Sequence, residues 1–444
     1  MKIKKYAALF CLILMIFFCF SIFSQIFIRN VIVERTDAAA STAERVLQEE
    51  QGTGSAEKKI HTDIDWEAEY PFNSGNTDPG AETKKQLLTE KIISHIRELI
   101  GVYTTDHLPG YNQMIELDSA LEKTVGWNID VLSEYNPLVE LEDGYFVSYV
   151  MPFDVSPNIE AVAELDAYCR NNGMDFLYVQ TPGKISKYED TEICNVLDFS
   201  NKLADDLLLG LEEYGTKTLD LRENVLEAGF RHRDLFFKTD HHWKPETGLW
   251  AAGCLAEELN QSLSYHLDTE LLRSDGFRKT VYENWFLGSS GKKVTLAKAE
   301  PEDISLLYPT YDTDLTIRIP SLSLEKTGDF SVTYDMDCIS EKDYMHKNPY
   351  GAYCYSDEAL IQIINNGNTT GKNICLIKCS YANVVSPFLS LISSRLDIVD
   401  LRYFKGSLKA YLNANTPDIV IIMYSPEFIG DVEHITRMNP FDFD

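Results

Sequence analysis

Positive charge is scarce in this chain. Its 444 residues hold 40 Lys and Arg against 69 Asp and Glu, a formal net charge of -29, so the phosphates of a nucleic acid would be repelled. A polyanionic ligand is excluded on the same ground outside a local basic patch. No Cys-x-x-Cys spacing occurs among the nine cysteines, which removes a zinc knuckle and a thioredoxin-like site. Cys11 and Cys19 lie in an apolar N-terminal run, and the odd number left outside it cannot all pair. Cys338 with Cys354 is a candidate disulfide, whereas Cys375 and Cys379 have the setting of small buried hydrophobes. A phosphate loop is missing too: in Gly288-Ser289-Ser290-Gly291-Lys292-Lys293 the second glycine comes too soon and no Ser or Thr follows Gly-Lys.

What is present points first to an export segment. Lys2, Lys4 and Lys5 precede an uncharged apolar stretch from Tyr6 to Ile28, which exceeds the roughly 20 residues a bilayer-spanning helix needs. Residues 1–28 therefore predict a basic cytoplasmic tip and an uncleaved single-pass anchor, with the rest of the chain outside the membrane. Cleavage as a signal peptide is the weaker alternative, since Ala38-Ala39-Ala40 lies far from the apolar end. Residues 29–85 are polar and loop-rich, a stalk. Helical spacing begins at residues 92–99 and continues through about 112–123.

From there the chain alternates between helical and extended patterns. Hydrophobic content of 44% and charged content of 25% are ordinary for a folded domain. Helices are expected over 159–172, 203–214, 247–260, 385–394 and 407–412; strands are expected over 175–180, 218–221, 374–378, 396–401 and 418–424. This alternation predicts a parallel sheet with helices on both faces, and a site at the carboxyl ends of its strands. Residues from about 267 to 356 are less regular and are expected to form an insertion.

Two segments carry chemistry. Thr239-Asp240-His241-His242-Trp243-Lys244-Pro245-Glu246 sets a carboxylate two residues before an imidazole, just ahead of a helix start marked by Pro245 and Glu246. Side chains at i and i+2 of an extended run share a face, so Asp240 can orient His242 while His241 points away. Downstream, the apolar strand Asn373-Ile374-Cys375-Leu376-Ile377-Lys378 runs into Cys379-Ser380-Tyr381-Ala382-Asn383. A serine at a sharp strand end can be an exposed nucleophile, with the amides just after it, near Tyr381, free to bind an oxyanion. Ser289 or Ser290 is a rival nucleophile, but neither ends an apolar strand. Arg402 and Lys184 are candidates for orienting substrate, each with a structural ion-pair role as the alternative. Trp243 is expected to pack the motif rather than bind sugar.

Several separated runs resemble a known family. Thr239-Asp240-His241-His242-Trp243, Phe286-Leu287-Gly288-Ser289-Ser290-Gly291-Lys292, Lys378-Cys379-Ser380-Tyr381-Ala382-Asn383, Asp400-Leu401-Arg402-Tyr403-Phe404 and Pro417-Asp418-Ile419-Val420 are similar to the bacterial DHHW proteins, and through them to the SGNH-hydrolase-like domain of alginate O-acetyltransferases. The resemblance implies a three-layer flavodoxin-like α/β domain over residues 86–444, in permuted motif order. It implies Asp240 as acid, His242 as base and Ser380 as nucleophile in acyl-ester chemistry on an exported or cell-envelope glycan. No cofactor or metal is implied. The partners it implies are an acyl-ester donor, a glycan acceptor and a membrane acyltransferase. One position departs: the family has Asp-Ser where this chain has Cys379-Ser380, which puts the local support of the nucleophile, and with it the activity, in question.

Two other classes compete with an O-acetyltransferase or esterase. A non-catalytic glycan-binding or envelope-assembly protein would keep the fold without turnover. A metal hydrolase would use Asp240, His241 and His242, for which adjacent histidines on opposite faces make a poor chelate.

Overall fold

Strands buried on both sides read as unbroken apolar runs, and three such runs form the centre of the molecule. In the computed structural model, which describes residues 129–130, 138–141, 144–189, 198–430 and 439–444, a small antiparallel sheet comes first: β1 (Ile129–Asp130), β2 (Leu138–Glu140) and β3 (Phe146–Ser148). Helix α1 (Ser156–Asn171) then leads to β4 (Asp175–Gln180), α2 (Ser200–Glu213), β5 (Thr218–Asp220), α3 (Leu221–Glu227) and α4 (Pro245–Leu263). A two-stranded antiparallel ribbon of β6 (Phe277–Phe286) and β7 (Glu302–Pro309) brackets helix α5 (Ser289–Lys298). The chain ends with β8 (Leu315–Ile319), β9 (Leu324–Gly328), β10 (Leu360–Asn365), β11 (Asn373–Lys378), α6 (Ser386–Ile392), β12 (Arg395–Val399), α7 (Leu408–Asn415) and β13 (Ile419–Tyr424).

The main sheet has eight strands in the order β5-β4-β13-β11-β12-β10-β8-β9. From β5 to β12 every pairing is parallel. At its centre β13, Ile-Val-Ile-Ile-Met-Tyr, is buried throughout, and β4 and β11 are buried after their first residue. This is the signature of a sheet covered on both faces.

The expectation of a wholly parallel sheet needs correction, because β10 runs antiparallel to β12 and to β8, and β8 antiparallel to β9. The reason lies in a tight reversal. Pro320–Leu322 forms a 3-10 turn and Ser323 follows at φ 50, folding β9 back on β8. Glu325, Lys326 and Thr327 face solvent along the outermost strand, a charged edge that resists pairing with another chain.

The expected insertion at 267–356 is also corrected. Its β8 and β9 are strands of the main sheet, and its ribbon packs on the core through Phe286, Ile304 and Leu306. The expected disulfide does not form: Cys338 and Cys354 are both free thiols, with the Cys338 sulfur 3.3 Å from the Asp335 carboxylate. The membrane anchor, the stalk and the helices at 92–99 and 112–123 lie outside the described residues. Among the described residues no helix is long and apolar enough to cross a membrane.

Candidate active site

The Asp-His pair stands on a small closed loop. Phe236 and Trp243 pair as an isolated antiparallel bridge. The Phe237 amide donates to the His242 carbonyl at 3.2 Å and the Lys244 amide to the Leu235 carbonyl at 2.8 Å, so residues 237–242 are pinched at their base. Pro245 and Glu246 then open α4, as the sequence predicts. Trp243 is fully buried and donates from its indole nitrogen to the Tyr381 carbonyl at 2.8 Å. It packs the motif, and in doing so ties the base loop to the nucleophile turn.

Three buried side chains form a continuous chain of hydrogen bonds. His242 Nδ1 lies 2.5 Å from Asp240 Oδ1, and His242 Nε2 lies 2.7 Å from Ser380 Oγ. Burial works to raise the Asp240 pKa, but His242 and His241 beside it hold it well below the usual carboxylate value. An ionised carboxylate only accepts, so the Nδ1 proton of His242 points to Asp240 and Nε2 is left to receive the serine proton. The structure thus brings together the acid, base and nucleophile named from the sequence.

The second oxygen of Asp240 is fixed by the glycine turn. The Ser289 amide donates to Asp240 Oδ2 at 2.6 Å, the Gly288 amide to Thr239 Oγ1 at 3.0 Å, and the Gly291 amide to the Thr239 carbonyl at 2.8 Å. Gly288 has no room for a side chain: a Cβ there would lie 2.2 Å from Asp240 Cβ. Glu302 clamps the same loop, accepting from the amides of Lys238 and Thr239 and from Thr239 Oγ1, each at 2.7 Å. Nothing in the sequence around Glu302 marked it.

Lys184 supplies the opposing jaw. Its buried ammonium donates to the carbonyls of Lys238 and Asp240, both at 2.7 Å, so it braces the acid rather than meeting substrate. Burial pushes its pKa down to about 7, against the pull of Glu302 and Asp240. A second unmarked residue is Tyr350, from the 3-10 turn Pro349–Ala352, whose ring stacks on His242 with centroids 4.2 Å apart.

Ser380 opens a 3-10 turn, Ser380–Val384, at the carboxyl end of β11. Helix α4 presses against this turn at Gly248, where a Cβ would meet the Val384 carbonyl at 2.4 Å. Cys379 is fully buried. Burial pushes its thiol pKa up to about 11. The Ala382 amide closes the turn onto the Cys379 carbonyl at 3.1 Å. The Tyr381 hydroxyl donates to the His241 carbonyl at 2.7 Å.

Behind the turn sits a neutral quartet of charges. Lys378 contacts Asp357 at 2.5 Å and Asp400 at 3.1 Å, while Arg402 contacts Asp357 at 3.1 Å and Asp400 at 2.6 Å. Arg402 is committed to these two carboxylates, the structural alternative left open by the sequence. Asn383, within the turn, donates to Asp357 at 3.1 Å. The quartet is thus tied to the end of β11, next to Ser380.

His241 departs from the sequence expectation. It does not point away: its ring lies beside that of His242, centroids 3.8 Å apart, with Nδ1 3.6 Å from Asp240 Oδ1 and 3.2 Å from Ser289 Oγ. The donor atoms of Asp240, His241 and His242 all come within 4.8 Å of one another. A cation held by all three would have to displace the proton between Asp240 and His242.

Residues 154–276 match the family described as the SGNH hydrolase-like domain of acetyltransferase AlgX. That stretch runs from just before α1 to the start of β6, and it includes Asp240 and His242. Among solved structures, PatB1 of Bacillus cereus is similar with a TM-score of 0.57 at 18% identity, covering 70% of this chain and 100% of that one. PatB1 with a sulfonyl adduct gives 0.57 at 17% identity, covering 70% and 98%. A DHHW family protein from Eubacterium siraeum gives 0.53 at 15% identity, covering 69% and 96%. Identities this low establish the fold alone. No curated protein matches the chain.

Proposed function

We propose that this protein is a serine acyl-ester enzyme, an O-acetyltransferase or acetylesterase that acts on an exported or cell-envelope polysaccharide. The observation that carries the reading is the unbroken path Asp240–His242–Ser380, at 2.5 and 2.7 Å with all three groups buried. His242 Nε2 takes the Ser380 proton as Oγ bonds to the acyl carbon. The tetrahedral intermediate collapses as the same proton passes to the departing alkoxide, leaving acyl-Ser380. An incoming hydroxyl then gives its proton to His242 as it attacks the acyl carbon, and His242 passes that proton to Ser380 Oγ as the acyl–Oγ bond breaks. Asp240 keeps the ring in the tautomer this sequence needs and stabilises the imidazolium.

The match to an acetyltransferase AlgX domain supports acetyl as the group carried. Residues 6–28 support an extracytoplasmic site next to the membrane, where an acyltransferase in that membrane would supply the acyl ester. The hydrogen-bonded triad favours turnover over a purely binding role. The test is release of p-nitrophenol from p-nitrophenyl acetate by the full chain, with Ser380→Ala and His242→Ala in parallel and an acetyl mass shift sought on Ser380. Losses of about 10²-fold or more are expected in both variants. Equal turnover in all three proteins would sink the reading.

A further inference from the structure

We infer that His241 and Ser289 form the acceptor side of this site, a hydroxyl-binding pair that seats the polyol hydroxyl receiving the acyl group from Ser380. The inference rests on the acyl-transfer reading and adds the group that separates transfer from hydrolysis.

The two histidines of the motif differ in access. The His242 side chain is 11% exposed and fully committed, whereas that of His241 is 46% exposed. Its Nε2 has no hydrogen-bond partner among the described residues, and Ser289 beside it is also exposed. Both residues are nonetheless fixed through their backbones. Tyr381 holds the His241 carbonyl, and the Ser289 amide is held by the carboxylate of Asp240. Their positions are thus set by the catalytic acid and the nucleophile turn, while their side chains are open at the mouth.

Proton placement gives the pair its chemistry. With Asp240 ionised and near, the Nδ1 proton of His241 points inward toward Asp240 and the Ser289 oxygen. The Nε2 lone pair and the Ser289 hydroxyl proton then remain for a ligand. One acceptor and one donor side by side match a vicinal diol, the repeating feature of carbohydrate. A simple alcohol or water can satisfy only one of them at a time.

The test is a partition experiment on the full chain, acetylated by p-nitrophenyl acetate in the presence of either glycerol or 1-propanol, with acetyl-alcohol and free acetate measured. Glycerol should capture acetyl groups better than 1-propanol at equal concentration. His241→Phe, which keeps a ring beside His242, and Ser289→Ala, a small change at an exposed position, should each cut that preference roughly two- to tenfold, the worth of one hydrogen bond. The same glycerol-to-propanol ratio in wild type and both variants would overturn the acceptor site alone. A wild-type protein that never acetylates Ser380 would overturn the acyl-transfer reading along with it.

Discussion

The ammonium of Lys184 lies 2.7 Å from the main-chain oxygen of Asp240, so the proposed catalytic acid is braced by a lysine 56 residues away in sequence. A misplacement of about 1 Å can cost an enzyme 10²-fold in rate. Lys184→Met should therefore lower kcat by about 10- to 100-fold while KM for a small ester stays within about twofold. A KM-only effect would show that Lys184 binds substrate instead.

Lys184 also predicts a pH dependence of stability. Its folded pKa, about 7, lies below the value near 10.4 of an exposed lysine. The unfolded chain therefore binds more protons between these values, and stability rises with pH across that window. Urea unfolding at pH 7 and pH 9 should show the wild type gaining on Lys184→Met at the higher pH. A constant or shrinking gap would contradict the burial of this amine.

The glycine turn offers a sharper test of positioning. In Gly288→Ala the new methyl group would fall 2.2 Å from Asp240 Cβ and 2.6 Å from Oδ2, so the acid must move. An activity loss of about 10²-fold or more is expected. Gly253, within α4, has nothing within 4 Å of an added Cβ, and Gly253→Ala should keep full activity and gain up to about 1 kcal/mol in stability. Comparable activity in the two variants would mean that the glycine turn does not set the position of Asp240.

How much of this could be read beforehand follows from where each constraint lies. Asp240, His242 and Ser380 were legible because spacing of two and a strand end are local patterns. The apolar β13 and β11 were legible for the same reason. His241 was not, because the alternation rule holds for an extended strand and residues 237–242 form a pinched loop that turns both rings to one side. Glu302 and Lys184 act on that loop from distant strand ends, a relation no local pattern encodes. The outermost β9 went unread because its solvent-facing residues carry little apolar signal; β8 and β10 do carry one, but whether a strand runs parallel or antiparallel is not written in its own pattern.

Cys379 yields a chemical prediction. A thiol reacts as its thiolate, and this one is fully buried with its pKa pushed up to about 11 by that burial. Folded protein treated with iodoacetamide at pH 7 should retain its esterase activity, with no label on Cys379 by mass spectrometry. Labelling at that position with loss of activity would show the strand end to be open, and the sulfur to stand in the site rather than beneath it.

The charge quartet ties down the turn that carries Ser380. Lys378 is completely buried, between Asp357 and Asp400, and Asp357 in turn receives the side chain of Asn383. Removing one member of such a network strands the charges that remain, at a cost of about 3–5 kcal/mol. Lys378→Met should be destabilised by that order in urea unfolding. Lys378→Met combined with Asp400→Asn should recover part of the loss, since the second change removes a carboxylate left unpaired. If the double variant were as unstable as the sum of the single ones, the two groups would not be coupled, and the support of Ser380 would have to come from packing at Gly248 and Val384 alone.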